Sequence, residues 1–331
     1  VEAGAEGPLP LENSSFLSHF RYSFLEIMEA MGFDFGFAGT PRYKDGDLKL
    51  DFSPNPLHKV SFTGIFGISD IEMKQSEQDD VSTGDIDITN GTDFYSLGAN
   101  YRHIFSEKLY GRLILGTVFG NFQTTMDSVT TDGNHNVTDK DLYFSQNSKE
   151  GFHTLKYELN ASVSSNLFLT AGMESRLRWY DFLEQNYFPD QYDGDVWSLK
   201  ENGSAFQTMA YTNLNWDVST NVAANLGFAA QYLETGKHGT FEPRIGIKWQ
   251  FASSHALNAG FGVHAQSLPL ALYFTQEGND ALEFMQSTHY VLGYTWQTGI
   301  GALIKAEGYY KDICNAPVEK NDESAWSFLN T

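Results

Sequence analysis

The stretch 241–266, FEPRIGIKWQFASSHALNAGFGVHAQ, decides how the rest of the chain is read. Every second residue from Phe241 is apolar, through Pro243, Ile245, Ile247, Trp249 and Phe251. The residues between them are Glu242, Arg244, Gly246, Lys248 and Gln250. After ASSH the alternation resumes with Leu257, Ala259, Phe261, Val263 and Ala265 against Asn258, Gly260, Gly262, His264 and Gln266. Side chains alternate between the faces of a strand, so this is a long β-hairpin with one apolar and one charged face.

The same period recurs along most of the 331 residues. Leu155, Tyr157, Leu159, Ala161 and Val163 alternate with Lys156, Glu158, Asn160 and Ser162, and the turn SSN leads into a partner strand with Leu167, Leu169, Ala171 and Met173. Leu48, Leu50 and Phe52, then Ala224, Leu226, Phe228 and Tyr232, then Tyr290, Leu292, Tyr294 and Trp296, repeat the pattern. About thirteen such strands are expected. FLEIMEAMG at 24–32 reads instead as one or two helical turns within a connection.

Tight polar turns fall near 53–58, 106–108, 164–166, 219–221, 253–255 and 298–301, and longer polar connections near 74–92, 124–150, 181–203 and 268–286, with one short exception near TGKHG at 235–239. Short turns at one end and long loops at the other fit an antiparallel up-and-down barrel of the outer-membrane type. Aromatics, 15% of the chain, fall into two sets on the apolar face. Phe52, Phe105, Trp216, Trp249, Phe251 and Trp296 lie beside short turns, while Tyr95, Phe119, Trp179, Phe206, Tyr232, Phe241 and Tyr290 lie farther out. Eleven residues at about 3.3 Å rise and roughly 40° tilt cover about 28 Å, close to the apolar band of such barrels. The apolar face is therefore expected to meet lipid and the polar face a wet lumen.

Composition excludes several classes. Acidic residues outnumber basic ones 42 to 21, a balance unsuited to nucleic acid. Nowhere do 18 consecutive apolar residues occur, so no transmembrane helix is expected. The single Cys314 allows neither an internal disulfide nor a cysteine metal cluster. No G-x-S-x-G elbow or phosphate-binding glycine loop is present, and the chain reads as a non-enzyme without cofactor or metal. GDIDITNGTD at 84–93 and DQYDGDVW at 190–197 cluster oxygen ligands but lack the spacing of an EF-hand, and read as solvated acidic loops.

Lumen charges Arg176, Glu242, Arg244, Lys248, Lys305 and Glu307, with His264 and Gln266, read equally as a wall ion-pair lattice or as ligand contacts. His264 and His289 are candidates to converge, though isolated histidines are more often wall residues. Gly64, Gly67, Gly98, Gly172, Gly227, Gly246, Gly260, Gly262 and Gly293 are expected to leave room on the inner wall for packed material such as a plug. Loop aromatics beside acids, Tyr187, Asp190, Tyr192, Asp193, Asp195 and Trp197 in one loop and Tyr273 and Phe274 in another, are the candidate ligand contacts.

FEPRIGIKWQF, LNAGFGVHAQSLPLALYF, HYVLGYTWQ and KAEGYYKDICNAPVE, with SSFLSHFRYSF and PRYKDGDLKLDF upstream, resemble the barrel of TonB-dependent receptors of Bacteroidetes outer membranes. The resemblance implies a barrel of about 22 strands, an N-terminal plug, a TonB-recruiting box, and energised import of a scarce ligand of siderophore, oligosaccharide or peptide class. It implies as partners the outer-membrane lipid, the receptor's own plug, TonB and a small ligand. The chain starts at Val1 and ends at SFLNT with neither plug nor terminal aromatic strand, so residues 1–331 are expected to be a partial barrel domain. A passive porin and a soluble carbohydrate-binding β-sandwich or adhesin are the alternatives.

Overall fold

The computed structural model describes residues 1–33, 39, 41–73, 86–131, 137–187, 197–274, 278–319 and 328–330. The strands are β1 (Glu2–Pro8), β2 (Ser14–Tyr22), β3 (Arg42–Asn55), β4 (His58–Met73), β5 (Ile86–Ser106), β6 (Leu109–Thr131) and β7 (Val137–Ser164). They continue as β8 (Leu167–Asn186), β9 (Trp197–Ser219), β10 (Val222–Leu233), β11 (His238–Ala252), β12 (His255–Gln266), β13 (Met285–Gln297) and β14 (Leu303–Cys314). One sheet holds all fourteen in strict chain order, and neighbouring strands whose register is defined pair antiparallel. Two short strands, β15 (Pro317–Glu319) and β16 (Phe328–Asn330), pair separately. The helical turns expected at 24–32 are helix α1 (Phe24–Ala30).

Among the described residues the main sheet has fourteen strands, in line with the about thirteen expected. β1 has the sequence EAGAEGP, whose alanines and glycines give almost no contrast between faces. Backbone pairing to β2, from Glu2 opposite Arg21 to Pro8 opposite Ser15, makes it a strand nonetheless. The connections at 124–150 and 181–203 are also shorter than expected, because β6 runs on to Thr131, β7 starts at Val137, β8 reaches Asn186 and β9 starts at Trp197. β7 has 28 residues. At about 3.3 Å per residue and roughly 40° tilt it is some 70 Å tall, far beyond an apolar band of about 25 Å.

Register carries the faces from strand to strand. Leu214, Leu226, Ile245, Phe261, Tyr290 and Tyr310 are successive cross-strand partners on one face, and Asn215, Asn225, Gly246, Gly260, Val291 and Tyr309 on the other. Apolar side chains stand out from the first face: Phe241 is 65% exposed, Leu292 63% and Ile247 45%. A sandwich would bury these against a second sheet, so the alternative of a soluble β-sandwich does not fit the structure. Hydrocarbon is the medium that such a face needs.

The chain divides into two compact units. The first comprises residues 1–100, 115–153 and 178–204. On its apolar face Phe52 meets Phe62, Tyr95 meets Phe119, and Phe119 meets Trp179, with ring centroids 6.2, 5.9 and 5.9 Å apart. Its polar groups pair across strands, as in Arg21 with Asp45 and Arg42 with Asp70. Asp87, within the acidic stretch read as a solvated loop, is buried in β5 and bound by Lys140, which also reaches Asp127. The second unit comprises 101–114, 154–177 and 205–331 and holds the polar cluster described next.

Candidate functional site

Within the second unit the polar face of β7 to β9 is knitted by one phenol. Tyr211 Oη donates to Glu158 Oε2 at 2.6 Å, and its ring lies so close over Gly172 that a Cβ there would meet Oη at 2.5 Å. Asn160 donates to the other Glu158 oxygen at 3.0 Å and accepts from Thr170 at 2.9 Å. Lys156 lies 3.7 Å from Glu158 and its Nζ sits 5.0 Å from the centre of the Tyr211 ring. Such a lattice fixes strands to one another and leaves Glu158 with little spare capacity for a ligand. Alternation reveals that Tyr211 is on the polar face, but only the folded sheet reveals that a glycine lies beneath it.

The second cluster lies where β10 and β11 approach the short connection at 234–237 and β12 approaches its long one. Glu242 is 1% exposed. It accepts from Gln231 Nε2 at 2.6 Å, from Thr240 Oγ1 at 3.2 Å and from Arg244 at 2.8 Å, and Gln231 in turn accepts from Gln207 at 3.1 Å. A buried carboxylate is tolerated because these donors replace its water. Glu242 is thus a wall group that fixes Arg244, whose side chain remains 44% exposed. His264 and His289 do converge, with ring centroids 4.7 Å apart, and His289 Nε2 is 2.8 Å from Ser287 Oγ.

The other sequence candidates are placed less favourably or differently. Arg176 pairs with Glu174 on its own strand. Lys248 is exposed opposite Ala223 and Asn258, Gln266 is exposed at the end of β12, and Glu307 is exposed opposite Gly293. Tyr273 is 2% exposed and its Oη accepts from the backbone N–H of Leu268 at 3.2 Å. It belongs, with buried Leu268, Leu270, Leu282 and Phe284, to the interior of the 267–284 connection rather than to a stacking surface. Phe274 follows it, half-buried. Tyr187 is half-buried and its backbone N–H donates to Tyr143 O at 2.9 Å. Asp190, Tyr192, Asp193 and Asp195 lie outside the described residues, as does the side chain of Trp197.

The glycine expectation divides. Gly64 pairs with Leu48 and so stands on the apolar face, against Leu97. Gly172 and Gly262 are covered by Tyr211 and His264, and Gly227 by Asn213. At Gly67, Gly246, Gly260 and Gly293 an added Cβ would make only ordinary contacts, so these positions keep the polar wall low. Lys311, opposite His289, is the residue near the histidines that strand alternation alone did not single out.

Comparison with known proteins adds a family. Residues 32–330 match the model described as TonB dependent receptor-like, beta-barrel. No curated protein matches. Among solved structures, the ferripyoverdine receptor of the Pseudomonas aeruginosa outer membrane superposes with a TM-score of 0.71 at 13% identity, over 99% of this chain and 50% of that one. The outer membrane transporter YddB from Escherichia coli gives 0.69 at 11% identity, over 99% and 48%. The siderophore receptor PirA from Acinetobacter baumannii gives 0.64 at 14%, over 100% and 53%. The chain spans about half the length of each of these structures. With an exposed apolar face, a polar wall and a family match over nearly its whole length, the chain belongs to the TonB-dependent receptor-like β-barrels of the bacterial outer membrane.

Proposed function

We propose that the intact protein is a receptor of the Bacteroidetes type that imports a scarce ligand, of siderophore, oligosaccharide or peptide class, in a TonB-energised cycle. This chain supplies the wall around a plug. Membership of the TonB-dependent family supports energised import over a passive porin. The low wall at Gly246, Gly260 and Gly293 agrees with it, since a folded domain seats most easily where no side chain projects. Ligand capture at the outer end falls to two groups: the polar cluster around Arg244, His264 and His289, and the loop aromatics and acids Tyr187, Asp190, Tyr192, Asp193, Asp195 and Trp197. The deciding experiment measures uptake in cells with and without TonB. Loss of uptake without TonB supports the importer, and undiminished flux identifies a porin. Deleting 186–197 in the intact receptor should weaken ligand binding at normal abundance of folded barrel, because loops at that end tolerate changes of length.

A further inference from the structure

A single cross-strand row links β10 to β14 on the polar face. Gly227 is opposite Arg244, Arg244 opposite Gly262, Gly262 opposite His289, and His289 opposite Lys311. His264, two residues beyond Gly262, folds back over it: a Cβ on Gly262 would meet His264 Nε2 at 2.9 Å. His264 thus fills the gap between Arg244 and His289, and Arg244, His289, Glu242 and Lys311 all lie near enough to act on it electrostatically. Strands are about 4.8 Å apart, so Arg244 and Lys311 stand roughly 14 Å apart with two imidazoles between them.

The row is unusual for this chain. Acids outnumber bases two to one overall, yet the acid beside this row, Glu242, is buried and already holds Arg244, Gln231 and Thr240. The acid on the same face of β14 is Glu307, opposite Gly293 and four residues from Lys311. Arg244 gives one nitrogen to Glu242 and its side chain is still 44% exposed. Lys311 is exposed, with its Nζ 5.6 Å from the centre of the Tyr309 ring. A guanidinium offers a planar fork to oxyanions, an ammonium a point charge, and an imidazole an N–H donor in either protonation state. A metal ion fits less well, because two imidazoles flanked by two cations repel it and, among the described residues, no group of three ligating side chains forms.

We propose that this row binds a polyanionic ligand carrying two or more carboxylate or phosphate groups, one end on Arg244 and the other on Lys311 and His289, the long arginine and lysine stems closing on groups nearer together than the strands that carry them. The proposal rests on the reading that the polar face borders the ligand pathway, and it narrows the ligand to an anion where that reading allows a neutral saccharide.

The intact receptor, purified in detergent, is titrated calorimetrically at neutral pH and low salt with citrate, with tripolyphosphate and with maltose. Saturable binding of citrate, of tripolyphosphate or of both is expected, with no heat from maltose. Citrate alone would identify carboxylates as the preferred group and tripolyphosphate alone phosphates. The double variant His289→Asn, Lys311→Gln should weaken anion binding by about tenfold or more, while Lys305→Gln, which removes the same charge from the same strand face, should change it less than about twofold. Heat-shifted gel mobility identifies folded variants, and Arg244→Lys, which keeps the charge and loses the fork, serves if the double variant misfolds. Absence of binding to both anions overturns the proposal, as does equal weakening by Lys305→Gln. Binding to purified receptor needs no TonB, so TonB-independent uptake with intact anion binding would refute the importer alone.

Discussion

Replacing Leu226 by Arg in the intact receptor sets a guanidinium near the middle of the apolar band. Four residues toward the short turn, Val222 pairs with Trp249 of one aromatic girdle; four residues the other way, Ala230 pairs with Phe241 of the other. Each girdle is therefore about 10 Å from Leu226 in depth, given about 3.3 Å rise and roughly 40° tilt. Leu226 is 39% exposed on this face, so it already meets the surrounding medium. An arginine at the bilayer midplane costs about 2–4 kcal/mol, or roughly 30- to 900-fold in the folded-to-unfolded ratio, and one at the interface about 0–1 kcal/mol. Val222→Arg should therefore be mild. Asn225→Arg, on the polar face opposite Gly246, should be close to neutral. Urea titrations of the three variants folded into bilayers, followed by heat-shifted gel mobility, measure the differences. Equal loss at Leu226 and Asn225, or a Val222 variant as costly as the Leu226 one, would refute the assignment of faces.

Tyr211→Phe removes the phenol from Glu158 and should cost about 1–2 kcal/mol in the same titration, while Gly172→Val should cost more because its side chain collides with the ring; a neutral Gly172→Val would show that the ring does not lie there. Gly236 has φ +67° and its missing Cβ points into the carbonyl oxygen of Asp280, so Gly236→Ala should loosen both the 234–238 and 279–281 segments. Limited proteolysis of the intact receptor should then cut faster at those two segments while the gel shift persists, and an unchanged cleavage pattern would count against their contact. Lys140 stands on the long outer part of β7, and its hydrogen bond to Asp127, reinforced by Asp87, raises its pKa above the ordinary lysine value. That contribution is complete below about pH 10.4 and disappears only as the pH climbs past the raised value. Amide exchange at the outer ends of β6 and β7 should thus be protected up to the ordinary lysine pKa, and Lys140→Gln should lose that pH dependence.

Alternation over 241–266 and the strands that repeat it sufficed to separate the two faces and locate the short turns, because a strand has period two and a lipid-facing wall admits no polar residue cheaply. The length of that pattern, repeated along the chain, also marked the barrel class. β1 escaped because Ala and Gly carry no such contrast, and the outer parts of β6 to β9 escaped because beyond the hydrocarbon both faces turn polar while backbone pairing continues. Apart from the convergence of His264 and His289, the site was legible only as a list of polar residues. Periodicity gives the face of Arg244, Glu242, His264 and Lys311 but not their neighbours, since those are set by the registers of four strand pairs separated by connections of different length. Tertiary structure alone buried Glu242 among three donors, folded Tyr273 into its own loop and brought His264 over Gly262 beside His289. One-dimensional sequence fixes which side of a wall a residue stands on, whereas a contact depends on distances across hydrogen-bonded strands that only folding sets.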